Sequence, residues 1–182
     1  MIVETLLLAI LYGKLKGGKL SNLSEISIDM WGFIPASFLL SYTSIYLITK
    51  GNSFLLDNFA YIQLASNFLL LMVLFYNRKI WPYNLVSAGI ILNTLPMALN
   101  GGRMPVSEWA LKKSGLLHEL VLIADNRIVT HTILLEDTSF KIFSDIIPLI
   151  YKVISIGDLL IAAGIFLIIL KYMTSSQPLQ RR

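Results

Sequence analysis

The sequence predicts an all-α integral membrane protein of about five transmembrane helices, with an extracytoplasmic elaboration between the last two. Three observations carry this. Hydrophobic residues make up 55% of the 182-residue chain and charged residues 14%, against about 25% charged in an ordinary soluble domain. Mean hydropathy is +0.70. The apolar residues also lie in long blocks, and a block of about 20 residues is what a hydrocarbon core of roughly 30 Å requires.

The first element, residues 2–12, is apolar but short, and crosses a bilayer only with local thinning or with its flanks included. No basic stretch precedes it, Glu4 sits inside it and no small-x-small cleavage site follows, so it reads as a retained helix and not a signal peptide. Residues 31–49, 56–76, 80–99 and 153–173 are each long enough to span. "NTLP" at Asn93–Pro96 is expected to bend the fourth helix, with Asn93 or Thr94 bonding backbone groups that Pro96 frees. Asn67, at mid-depth in the third, reads as a bridge between helices. Trp31, Trp81 and Tyr83 suit interfacial positions. These helices form one bundle over residues 1–173, in which residues 100–152 are the extracytoplasmic segment; residues 174–182 read as a disordered cytoplasmic tail.

Charge placement gives the orientation. Lys14, Lys16 and Lys19, then Arg78 and Lys79, then Lys171, Arg181 and Arg182 fall on one side if five helices alternate. The positive-inside rule makes that side cytoplasmic, with the N-terminus outside and the C-terminus inside a plasma membrane crossed several times. The net charge of +4 is too small and too dispersed for a nucleic-acid partner. Membrane lipids are the partner that composition implies, and a further membrane subunit is compatible with it. The absence of cysteine excludes disulfides, thiolate metal sites and cysteine nucleophiles. In the outer segment, "LVLIAD" and "RIVTHTILL" flank Asn126 as a β-hairpin would; a short amphipathic piece on the bilayer surface is the alternative.

Few groups here can carry chemistry. Asp145 and Asp158 both fall near the outer face. Two aspartates meeting in a partly dry site do not both ionise easily, so one holds a proton that the other can accept. Such a pair activates water and protonates a leaving amine without metal or other cofactor. The same residues have a structural reading: Ser155-x-x-Asp158 fits a capping box, and Asp145 can cap a turn ended by Pro148. In "NGGRMPV", the glycines permit positive φ and close backbone approach. Asn100 can hold a substrate amide and Arg103 a carboxylate or phosphate, or both can serve a helix C-cap with a snorkelling arginine. His118 and His131 have no ligand-like spacing, and "HEL" lacks the second histidine of a metalloprotease motif, so no metal site is expected.

Two resemblances follow from these residues. Ser155-x-x-Asp158-x-x-Ile161-x-x-Gly164 resembles the last-helix motif of the lipoprotein signal peptidases (signal peptidase II), which reads Asn-x-Ala-Asp-x-x-Ile-x-x-Gly. "FSDIIP" with Asp145 is similar to the stretch that holds that family's other catalytic aspartate, and Asn100 and Arg103 stand where the family has asparagine and arginine. This likeness covers about residues 90–170. It departs at Ser155 and Gly157, in the longer separation of Arg103 from Asp145, and in helix number, since the family usually has four. It implies an intramembrane aspartic-type hydrolase with Asp145 and Asp158 catalytic. Asn100, Arg103 and Ser155 would bind a lipidated or membrane-embedded peptide, or another lipid-linked substrate. The whole chain more closely resembles an uncharacterised family of small bacterial integral membrane proteins that share "KGGKL", "NGGRMPV" and a late "SIGD". The competing expectation is a non-catalytic membrane subunit or small-amphiphile carrier in which the same acids are caps.

Overall fold

The computed structural model describes residues 1–175, so the tail expected at 174–182 lies almost wholly outside the described residues. The chain folds as a mostly helical bundle with a small β-containing cap at one end. Its long helices are α1 (Ile2–Leu15), α2 (Phe33–Thr49), α4 (Phe59–Tyr76), α5 (Pro82–Leu99) and α8 (Ile156–Thr174), with the one-and-a-half-turn α3 (Ser53–Asp57) leading into α4. Local chemistry sets several starts. Asn52 accepts a hydrogen bond from Leu55 N (3.0 Å) at the head of α3, and Pro82 occupies the first turn of α5, where its missing N–H costs nothing.

Side-chain contacts fix the packing polarity. Ser66 Oγ donates to Ser37 O (2.8 Å), so α2 and α4 are antiparallel. Asn67 Nδ2 donates to Thr94 Oγ1 (2.9 Å), joining α4 to an antiparallel α5 as an inter-helix bridge. Against α8, glycines set the distance: a Cβ on Gly89 would lie 2.5 Å from Gly157 O, and one on Gly164 would lie 2.5 Å from Val86 Cγ2. α1 runs parallel to α8, with Glu4 paired to Lys152 at one end and Lys19 N donating to Met173 O (3.0 Å) at the other. The long helices therefore alternate in direction through the chain.

Two of the described helices, Phe59–Tyr76 and Ile156–Thr174, are long and apolar enough to cross a membrane. This is fewer than the five expected spans. Phe33–Thr49 is apolar but has 17 residues, Ile2–Leu15 has 14, and α5 carries Asn84, Asn93 and two prolines that dilute its apolar content.

The cap, between α5 and α8, holds two short helices and four strands: α6 (Glu108–Lys113), α7 (Leu117–Ala124), β1 (Met104–Val106), β2 (His131–Ile133), β3 (Ile147–Leu149) and β4 (Lys152–Ile154). A β-hairpin is present, but it is β3–β4, turning at Ile150 and Tyr151; Tyr151 takes a left-handed conformation (φ 58°). "LVLIAD" is not a strand. Leu116, Leu120 and Ile123 recur at helical spacing and pack on Val106 and Leu111, so the period of the apolar contacts makes this segment α7. β2 instead pairs in parallel with β1, in the register Met104↔His131 and Val106↔Ile133.

Candidate functional site

The cap delivers Asp145 to the head of α8. β1 is central and fully buried. On one edge it pairs with β2, and on the other Val106 bridges Asp145. Asp145 N donates to Pro105 O (3.0 Å) and Ser107 N donates to Asp145 O (2.9 Å), which locks the aspartate in extended backbone. Its side chain is paired with His131. The pleat puts Met104 and Val106 on one face, and their partners His131 and Asp145 share it. His131 Nε2 consequently reaches Asp145 Oδ2 at 3.6 Å, an ion pair when the imidazole is protonated. His131 Nδ1 lies 2.9 Å from Thr130 Oγ1, which orients the ring.

At the head of α8 the capping box is complete. Ser155 Oγ accepts from Asp158 N (2.9 Å), and Asp158 Oδ2 accepts from Ser155 N (3.2 Å). Asn93 of α5 closes a ring across the helix pair: its Nδ2 donates to Asp158 Oδ1 (3.0 Å), and its Oδ1 accepts from Ser155 Oγ (2.7 Å). Ser155 is fully buried. Gly157 lets Asn93 lie directly on the α8 backbone, because any Cβ there would collide with the amide.

Asp145, beside β1, and Asp158, in the first turn of α8, both lie at the junction of cap and bundle. Burial pushes the Asp145 carboxyl above the ordinary aspartate range; His131 opposes this, and the negative charge of Asp158 adds to it. No direct hydrogen bond joins the two carboxyl groups. Asp145 is 7% exposed and Asp158 is half-buried, so the pair forms a shielded polar patch between cap and bundle.

The other expected site residues are placed differently. Ser155 belongs to the cluster, as cap and as partner of Asn93. Asn100 Nδ2 donates to Pro96 O (2.6 Å), closing the last turn of α5. Arg103 donates to Asn126 Oδ1 (2.9 Å) at the surface, bracing a residue with positive φ. Neither contact reaches the acids. The glycines between them take positive φ (66° and 79°), and Gly102 sits so close to α4 that a Cβ would lie 2.6 Å from Ala60 Cα. Two residues were not picked out from the sequence as partners of the acids. His131 arrives through a parallel strand pairing that leaves no local spacing. Asn93 carries a fainter trace: it lies four residues after Gly89, so the two share the face of α5 that meets Gly157.

Residues 25–170 match the family described as "Family of unknown function (DUF5317)". The chain is also 30% identical over 145 residues to an uncharacterized protein of Thermotoga maritima, covering 76% of this chain and 81% of that one. No solved structure matches it. Neither match supports the likeness to the signal peptidases. With the match extending from Glu25, just past the basic residues of the first connection, through nearly all of α8, the chain belongs to the DUF5317 family.

Proposed function

We propose that the protein is a multi-pass protein of the bacterial plasma membrane that hydrolyses a membrane-embedded or lipidated peptide, or a related lipid-linked molecule, with Asp145 and Asp158 as its acid–base pair. The observation that carries this reading is the placement of both acids at the junction of cap and bundle, Asp145 buried beside β1 against His131 and Asp158 in the first turn of α8 against Asn93. The membrane setting is supported by the surface of the bundle. Only 28% of Phe59–Tyr76 and 22% of the Ile156–Thr174 window are buried, and Leu39, Tyr61 and Phe68 stand more than 60% exposed. In water that surface would be an aggregation liability. The alternating helix directions also place Lys14, Lys16, Lys19, Arg78, Lys79 and Lys171 at the end away from the acids. The acid end carries Lys50, Arg103, Lys112, Lys113, Arg127, Lys141 and Lys152 as well, so reading it as extracytoplasmic rests on the short basic turns at Lys14–Lys19 and Arg78–Lys79, next to the helix ends, where the positive-inside rule weighs most. α2 and α5 rise about 26–27 Å and span with slight thinning, and α1, at about 21 Å, needs more of it.

The chemistry follows from the unequal settings of the two acids. Asp158, held by Asn93 and the Ser155 backbone, takes a proton from water as the oxygen attacks the scissile carbonyl carbon. Asp145, protonated, gives its proton to the carbonyl oxygen. On collapse of the tetrahedral intermediate the carbon–nitrogen bond breaks. Asp158 then passes its proton to the leaving amine, and Asp145 regains one from the intermediate's hydroxyl. His131, against Asp145, steadies its charged form between these steps.

A second reading has its own observation: both carboxylate oxygens of Asp158 are already engaged by Asn93 and Ser155. That is what a cap in a non-catalytic subunit or amphiphile carrier would show. Cleavage of lipidated peptides by the purified protein in nanodiscs separates the two. Turnover lost in Asp145→Asn and Asp158→Asn, with helical content retained, supports the hydrolase. Turnover retained in folded Asp158→Asn rejects it.

A further inference from the structure

A cavity of about 530 Å³ runs along the bundle between α2 and α4 on one side and α1, α5 and α8 on the other. Its wall is aliphatic, including Ile34, Leu74, Ile90, Ile161, Ile165 and Ile168. Along α5 it runs from Tyr83 to Met97, and from Tyr83 to Asn93 the rise is about 15 Å, the length of an extended chain of about twelve carbons. The wall amides, Asn67 and Asn93, both lie toward the acid end. Asn93 is the residue that donates to Asp158, so the cavity wall and the acid cluster share a side chain.

We propose that this cavity seats a hydrocarbon chain of the substrate, its methyl end toward Leu74 and Ile168 and its polar head at Asn93, beneath Asp145 and Asp158. The inference deepens the hydrolase reading and rests on it for the fate of the head group, while the seat for the chain stands on shape and wall chemistry. A chain held there fixes how far its head projects, so the cavity would act as a ruler that presents one bond to the acids.

The test uses the full-length protein in detergent micelles, with a fluorescent polyene fatty acid as probe and straight-chain alcohols from octanol to eicosanol as competitors. Competition is expected to strengthen with chain length and to level off near about twelve carbons, where the cavity ends. Ile165→Trp, which fills the middle of the cavity, should weaken probe binding at least about tenfold. Leu39→Trp, on the exposed face of α2, should leave it unchanged. Competition that tracks micelle partitioning without a plateau, or that is identical in folded Ile165→Trp, means general lipid contact only and overturns the inference. If Ile165→Trp does not fold, the wild-type length series decides. A plateau without peptide cleavage keeps the seat and removes the hydrolase; cleavage without a plateau does the reverse.

Discussion

His131 Nε2 lies 3.6 Å from Asp145 Oδ2, although the two residues sit on opposite edges of strand β1. The contact exists because β1 pairs on both edges and the pleat turns both side chains to one face. His131→Gln removes a partner that holds the Asp145 carboxyl down. The expected outcome is a further rise in the Asp145 titration midpoint, read by infrared or NMR titration. An unchanged midpoint would mean the imidazole is not felt there.

Asp145 also makes stability depend on pH. Its folded-state value is raised above the unfolded one. The stability it contributes is therefore full below the ordinary aspartate value of about 3.9 and is lost as pH rises through the raised value. As pH rises from the ordinary aspartate value of about 3.9 through the raised value, thermal melts of the wild type should fall relative to those of Asp145→Asn. Parallel melting curves over that range would show that the group is not shielded in the fold.

Ser155→Ala should cost about 1–3 kcal/mol, because it removes an N-cap and leaves the partly buried Asn93 Oδ1 without its donor. A double-mutant cycle with Asn93→Ala should return a coupling of about 0.5–3 kcal/mol. Additive losses would mean that the hydrogen-bond ring across α5 and α8 is not a unit.

Gly157→Ala should destabilise by about 1–3 kcal/mol through overpacking, since its Cβ would collide with Asn93 and lie 2.6 Å from Gly89 O. Gly101→Ala meets no atom within 4 Å but must hold φ at 66°, so its cost is backbone strain of about 1 kcal/mol. Comparable packing disruption in both variants, read by proteolysis of the α5–α8 pair, would contradict the close helix approach.

Arg103→Ala should change stability by no more than about 0.5 kcal/mol, because its bond to Asn126 is at the surface. It should leave peptide cleavage unchanged. A large loss of cleavage would restore the sequence expectation that Arg103 binds substrate.

The helices were legible because their apolar blocks are long and their ends carry chemistry a linear reading recognises: Pro82 at the start of α5, and Ser155 with Asp158 at the start of α8. The capping box was visible as a spacing. The cap domain was less so. "LVLIAD" reads as strand or helix until Leu116, Leu120 and Ile123 are seen to pack on Val106 and Leu111. The hairpin formed instead from "IPL" and "KVI", whose turn residues Ile150 and Tyr151 carry no turn signature. The His131–Asp145 contact is set by tertiary pairing alone, and Asn93 was assigned to its own helix when its amide in fact crosses to α8.

The pairing of the two acids is tested most directly by titrating the Asp145 carboxyl band in infrared spectra of the wild type and of Asp158→Asn, with Asp145→Asn used to assign it. The expected result is a wild-type midpoint above the ordinary value of about 3.9 that drops when the Asp158 charge is removed. A midpoint at the ordinary value, or one that Asp158→Asn leaves in place, would show two independent carboxylates and contradict a shared acid–base pair.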